Sequence, residues 1–194
     1  TRHFEARGSD DGGPPVVRDR KHIRGLPVVP RGHRRELLQA NAVVSRMAAI
    51  LMTGVGVGTQ YVIENPADRG DASFPRRFLD ADHGPLWLMP EILKLKASAF
   101  AGTEVTFPMC AFQAPWQKYT TLLYSPGLEE WLSPLGRLEC NHTSHARSAG
   151  GTVGLDGIPS SETSAYPANF NLYMATALAR LCASQSVHET HTSP

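Results

Sequence analysis

The chain has 194 residues, 41% of them hydrophobic, with 19 basic and 18 acidic side chains and a formal net charge of +1. That length suits one domain, or one domain with loose ends, and the near-neutral charge argues against a strongly basic binding module while leaving room for a local basic patch. Three cysteines are too few for a disulfide scaffold, and the N-terminal residues contain no apolar run of the kind that makes a secretory signal, so an intracellular, reducing compartment is expected.

Residues 1–33 read as an extended basic arm or loop, broken by Gly8, Gly12, Gly13, Pro14, Pro15, Gly25, Pro27 and Pro30 and interleaved with Arg2, Arg7, Arg18, Arg20, Lys21 and Arg24. Such an arm can lie along a nucleic acid or simply be a solvated tail. From residue 34 the pattern changes. Leu37, Leu38, Val43, Val44, Met47, Ile50 and Leu51 recur at helical spacing and predict a helix over 34–53, stopped by Gly54, Gly56 and Gly58. The most apolar stretch, 47–57, is too short to span a bilayer, so no membrane partner is expected.

Residues 59–63 form a short β-rich run that ends at Glu64-Asn65-Pro66, where the proline stiffens a turn. Helix, glycine turn, buried strand and polar strand end is the α/β rhythm, which predicts a partial Rossmann-like sheet with flanking helices over 34–183 and a ligand edge at Glu64 and Asn65. The alternative for these two residues is a solvated strand end. A loop over 67–84 carries Arg76 and Arg77 beside Phe74 and Phe78, either a basic-aromatic contact for nucleic acid or an ordinary charged surface.

Residues 85–100 predict a helix with Pro90 in its first turns and Trp87 on its apolar face. Residues 104–112 and 119–124 predict two strands joined by a turn, a hairpin-like β pair. In that turn Trp116, beside Lys118, is expected to be exposed, where it can stack a base or neighbour a phosphate. Residues 128–132 suit a short helical turn, 146–162 a Gly/Ser/Thr-rich loop, 164–183 a closing helix and 184–194 a flexible tail.

Cys140, His142 and His145 place three ligand-capable side chains within six residues, and Cys110, at a predicted strand end, can supply a fourth for zinc. The spacing is not that of a standard zinc finger. The competing readings are a buried strand cysteine and loop histidines bonded within the loop or to phosphate. The three glycines of 54–58 follow a helix and precede a strand, the wrong order for a dinucleotide loop.

Taken in order, several of these landmarks resemble the later motifs of DNA cytosine-C5 methyltransferases, closest to the divergent domains of phages and of algal and protist mobile elements. Glu64-Asn65-Pro66 is similar to the family's Glu-Asn motif. Asn41, in Leu38-Gln39-Ala40-Asn41, is similar to a small-Asn motif on the cofactor side, and Pro85-Leu86-Trp87 to a Leu-Trp segment. Cys110-Ala111-Phe112, together with Gln117-Lys118-Tyr119-Thr120, resembles a strand pair in which Gln113, Gln117 and Tyr119 replace the family's Gly, Arg and Pro. Ser164-Ala165-Tyr166-Pro167 looks like the start of the closing helix, and Phe4-Glu5-Ala6-Arg7 like the stretch that follows the catalytic Pro-Cys.

That resemblance implies Glu64 and Asn65 as catalytic residues on a flipped cytosine. It also implies DNA contacts from Arg7, Arg76, Arg77, Trp116 and Lys118, and a nuclear location if the source is eukaryotic. It implies too that the nucleophile and the S-adenosylmethionine site lie in an N-terminal portion of a longer protein, so this chain alone is expected to bind no cofactor and to transfer no methyl group. The alternative is a non-enzymatic nucleic-acid- or protein-binding domain of a mobile-element protein, stabilised by zinc.

Overall fold

The structure, a computed structural model, describes residues 16–71, 80–98, 102–116, 118–145, 148–149, 157–158 and 165–190. The longest helix, α1 (Arg31–Val55), spans 25 residues. It stops at Gly56, and Gly58 at φ 83° turns the chain towards the sheet in a conformation that suits glycine. Strand β1 (Val62–Pro66) follows. A single 3₁₀ turn (Leu86–Leu88) leads into α2 (Pro90–Lys96), with the proline at its first position. Two further strands are β2 (Thr103–Pro108) and β3 (Tyr119–Tyr124). After them come α3 (Glu129–Leu132), a 3₁₀ turn (Ser133–Arg137), a pair of two-residue strands β4 (Ser148–Ala149) and β5 (Gly157–Ile158), and α4 (Ala168–Thr190).

The main sheet has the order β1-β3-β2, and β3 is antiparallel to both neighbours, pairing Ile63 with Leu123 on one side and Val105 with Leu122 on the other. β1 and β2 therefore point the same way without touching, and β3 fills the gap between them. The expected Rossmann-like sheet is corrected here: no neighbouring pair in the three-stranded sheet is parallel. The physical reason lies in the link from β2 to β3. Gln113 at φ 69° reverses the chain in a short 3₁₀ turn, and a reversal that tight can only deliver an antiparallel partner. The two antiparallel strands expected on either side of that turn are present, β3 with the expected bounds. The domain is thus a small mixed α/β unit, not a methyltransferase sheet.

Local expectations shift with it. Glu64, Asn65 and Pro66 lie inside β1 rather than beyond its end. Cys110 sits in a 3₁₀ turn (Met109–Phe112) because Pro108 closes β2 four residues earlier than expected. The helix expected over 85–100 is a 3₁₀ turn and a seven-residue α-helix, divided by extended Met89, the residue before Pro90.

Side chains alternate across the sheet, as period-2 strands require. Leu122 and Tyr124 of β3, with Val105 and Phe107 of β2, face a core built with α3, the adjacent 3₁₀ turns and α4 (Phe170, Ala177 and Leu181). Leu123 and Ile63 face a second core built with Tyr61, Trp87, Ile92, Leu95 and Val55. The sheet is therefore covered on both sides, which explains why five of the six β3 residues are buried.

Candidate metal centre

The candidate ligands follow Met109 and Leu138, both of which pack in the first core. Cys110 is held where β2 reverses into β3: the Met109 amide donates to Lys118 O at 2.8 Å, and the Gln113 amide donates to Cys110 O at 3.1 Å. The second sulfur arrives from the segment after Leu135 and Leu138, which pack in that core. The Ser133–Arg137 turn closes with the Leu138 amide on Leu135 O at 3.0 Å, and Cys140 follows, buried. His142 is exposed and His145 half-buried, on an irregular loop.

These four residues, spread over 35 positions from Cys110 to His145, converge on one point: their ligand atoms all lie within 4.8 Å of one another. Cys140 Sγ is 3.4 Å from His145 Nε2 and 3.8 Å from His142 Nδ1, and the two imidazole rings are 5.1 Å apart. Zinc–sulfur and zinc–nitrogen bonds of about 2.3 and 2.0 Å give a tetrahedron with edges of roughly 3.3–3.8 Å. The two sulfur–nitrogen distances fall in that range, so the cluster is close enough to chelate a metal ion. No disulfide joins the cysteines. Burial, reinforced by the hydrogen bond and the charge of neighbouring Cys140, pushes the Cys110 thiol up to about 12. Two adjacent thiols resist ionising together in an apolar core.

The other expected site residues lie in structural roles. Glu64 Oε1 accepts from Thr120 Oγ1 at 3.1 Å, and Oε2 accepts from the Tyr166 hydroxyl, just ahead of α4. Burial, then the bonded Glu64 carboxylate, raise the Tyr166 phenol above its ordinary value. Both oxygens of Glu64 are thus engaged in joining β1 to β3 and to the start of the last helix. Asn65 is half-buried in β1 and pairs in register with Thr121. The Pro66 carbonyl accepts from the Trp87 indole N–H at 2.9 Å.

Asn41 fastens the N-terminal segment to α1, donating to Arg24 O at 2.6 Å and accepting from Arg18 at 3.3 Å. Trp116, expected to be exposed, is half-buried against the first core, and Lys118 is half-buried beside it. Arg7, Arg76 and Arg77 lie outside the described residues. With an antiparallel sheet and Glu64 bonded within the fold, the methyltransferase reading is overturned, and the S-adenosylmethionine, DNA-binding and nuclear character drawn from it go with it.

What the sequence pattern missed was a second fastening system. Arg20 pairs with Asp68 at 2.8 Å, Arg24 with Glu91 at 2.5 Å, and Ser45 donates to the same Glu91 oxygen at 2.5 Å. The Ser45 hydroxyl, more than Arg24, holds the Glu91 carboxyl below its usual range. Single arginines and carboxylates far apart in sequence carry no local signal of this. No protein-family model, no curated protein and no solved structure matches the chain.

Proposed function

We propose that this chain is a non-enzymatic α/β binding domain stapled by one zinc ion on Cys110, Cys140, His142 and His145. The observation that carries the reading is the convergence of two sulfurs and two imidazole nitrogens within 4.8 Å. Two thiolates and two imidazoles are a borderline-soft donor set, which suits zinc and disfavours the oxygen-seeking magnesium and calcium. Four protein ligands complete a tetrahedral shell and leave no position for a substrate or an activated water, which supports a structural role over a catalytic one. The ion would tie the turn after β2 to the loop that follows the 3₁₀ turn at residues 133–137, joining two irregular segments that share no strand pairing.

Metal analysis of the purified protein tests this. One zinc per chain is expected, with loss on Cys140→Ser or His145→Ala and a retained far-ultraviolet circular dichroism spectrum in His145→Ala. A metal-free wild type, or zinc that survives both substitutions, would overturn it.

A further inference from the structure

Helix α1 has two unlike faces. The inner one places Leu37, Ala48 and Val55 in buried positions, with Val44, Met47 and Leu51 packed on the second core. The outer one carries Leu38, Val43 and Ile50, which are 60%, 64% and 71% exposed, with Ala42 and Ala49 exposed on the same side. Leu38, Ala42 and Ala49, at four- and seven-residue intervals, form an apolar stripe along the helix, and Val43 and Ile50, seven residues apart, flank it beyond Arg46; nothing among the described residues covers them.

Charge says what would cover it. Arg31, Arg34, Arg35 and Arg46 lie on α1 against one acidic residue, Glu36, whose partner is His33 at 3.4 Å. The first three stand at the helix N-terminus, where no acidic residue occupies the first turn and Pro30 supplies no side-chain cap. Cations at that end oppose the helix dipole, so the arrangement lacks an anion. A shallow groove lined by Arg31, Arg34, Arg35, Leu38, Gln39 and Ala42 joins the charges to the start of the apolar stripe.

We infer that the outer face of α1 docks an acidic amphipathic helix from a protein partner, its aliphatic stripe on Leu38, Ala42 and Ala49 with Val43 and Ile50 at its flank, and its carboxylates against Arg31, Arg34 and Arg35. A second copy fits poorly, because Glu36 is the one carboxylate that a second α1 could offer to these four arginines, whichever way the two helices run. A bilayer also fits poorly. α1 is long and apolar enough to cross one by length and composition, yet Arg46 interrupts the outer stripe and the inner face is committed to the core. The inference rests on the reading of the chain as a binding domain, and not on its metal.

The test titrates the full 194-residue chain into a labelled synthetic helix with leucine and alanine on one face and glutamate on its flanks, followed by fluorescence anisotropy. The controls are the same helix with lysine for glutamate, phosphatidylserine vesicles, and sedimentation equilibrium of the chain alone. Binding of the glutamate helix is expected. It should weaken about tenfold in the Arg34→Glu, Arg35→Glu double variant and with added salt, and vanish in Ile50→Asp while circular dichroism and zinc content stay at wild-type values.

Equal binding of the lysine helix, no binding of the glutamate helix, preference for vesicles, or a dimer dispersed by Ile50→Asp would each overturn the inference. Lost binding with zinc retained removes this surface alone, and absent zinc with binding retained removes the staple alone.

Discussion

The two faces of the sheet solve one problem with different fasteners. Each must hold an irregular segment against a core: residues 138–145 on the α4 side, residues 16–26 on the α1 side. On the α4 side the fastener is a compact set of sulfur and imidazole donors beside a cluster of packed rings, in which Phe112 meets Phe170 at 5.3 Å and Tyr173 at 5.7 Å. On the α1 side it is a spread of guanidinium–carboxylate contacts. Arg24 is half-exposed, and Asp19 O approaches so closely over Gly84 that a Cβ there would lie 2.8 Å away.

The difference teaches where stability concentrates. Half-exposed ion pairs contribute little because water already solvates the separated charges and side-chain entropy opposes their meeting. A metal ion on buried thiolates can contribute far more, because those ligands have no comparable partner in the unfolded chain.

The largest effect expected is therefore at the metal. Chelation, or Cys140→Ser, should lower unfolding free energy by about 4 kcal/mol or more in a denaturant titration, and a change under 1 kcal/mol would erase the contrast between the faces. Next is a core truncation on the opposite side. Ile92→Ala, at a fully buried site, should cost about 2–5 kcal/mol while leaving zinc content unchanged, and zinc loss there would show that the two faces are not separable. Arg24→Ala should cost less than about 1 kcal/mol by the same titration. A cost equal to that of Cys140→Ser would mean that the α1 side is fastened as tightly as the other.

The smallest effect concerns pH. Burial, then the charge of Arg69, holds His83 below its ordinary value of 6.5, against the opposing pull of Asp68 and Asp80. Its Nδ1 accepts from the Arg69 amide at 3.1 Å, which fits the neutral ring. The folded state thus binds fewer protons than the unfolded one. The contribution is complete above pH 6.5 and is lost as the pH falls below it. His83→Gln should flatten the stability slope between about pH 5 and 7 by a few tenths of a kcal/mol relative to wild type, and an unchanged slope would remove His83 as its source.

Particular residues show what was legible in the sequence. The run at 119–124 is apolar on both faces with threonines at one end, and it is β3 with those bounds, because a strand covered on both sides needs no alternation. The apolar periodicity of residues 34–53 is α1, extended by a few residues at each end. Cys140, His142 and His145 announce themselves by proximity in sequence. Cys110 could be added only as a strand-end cysteine, since the turn that brings it over depends on Gln113 adopting a left-handed conformation that glutamine does not advertise.

Strand order was the failure. Buried strand, polar loop and helix look alike whether the next strand docks beside β1 or leaves a gap for β3, and periodicity records which face a residue occupies, not which neighbour it pairs with. The polar tripeptide at 64–66 misled for a related reason. Glu64 is polar because it bonds Thr120 and Tyr166 inside the fold, not because it waits at an open edge.

Cobalt substitution tests the metal centre most directly. The Co(II)-loaded protein should show intense d–d bands of a tetrahedral ion together with thiolate-to-metal charge transfer, and Cys110→Ser should diminish the charge transfer. A weak six-coordinate spectrum, or one without thiolate bands, would contradict a Cys110, Cys140, His142 and His145 site.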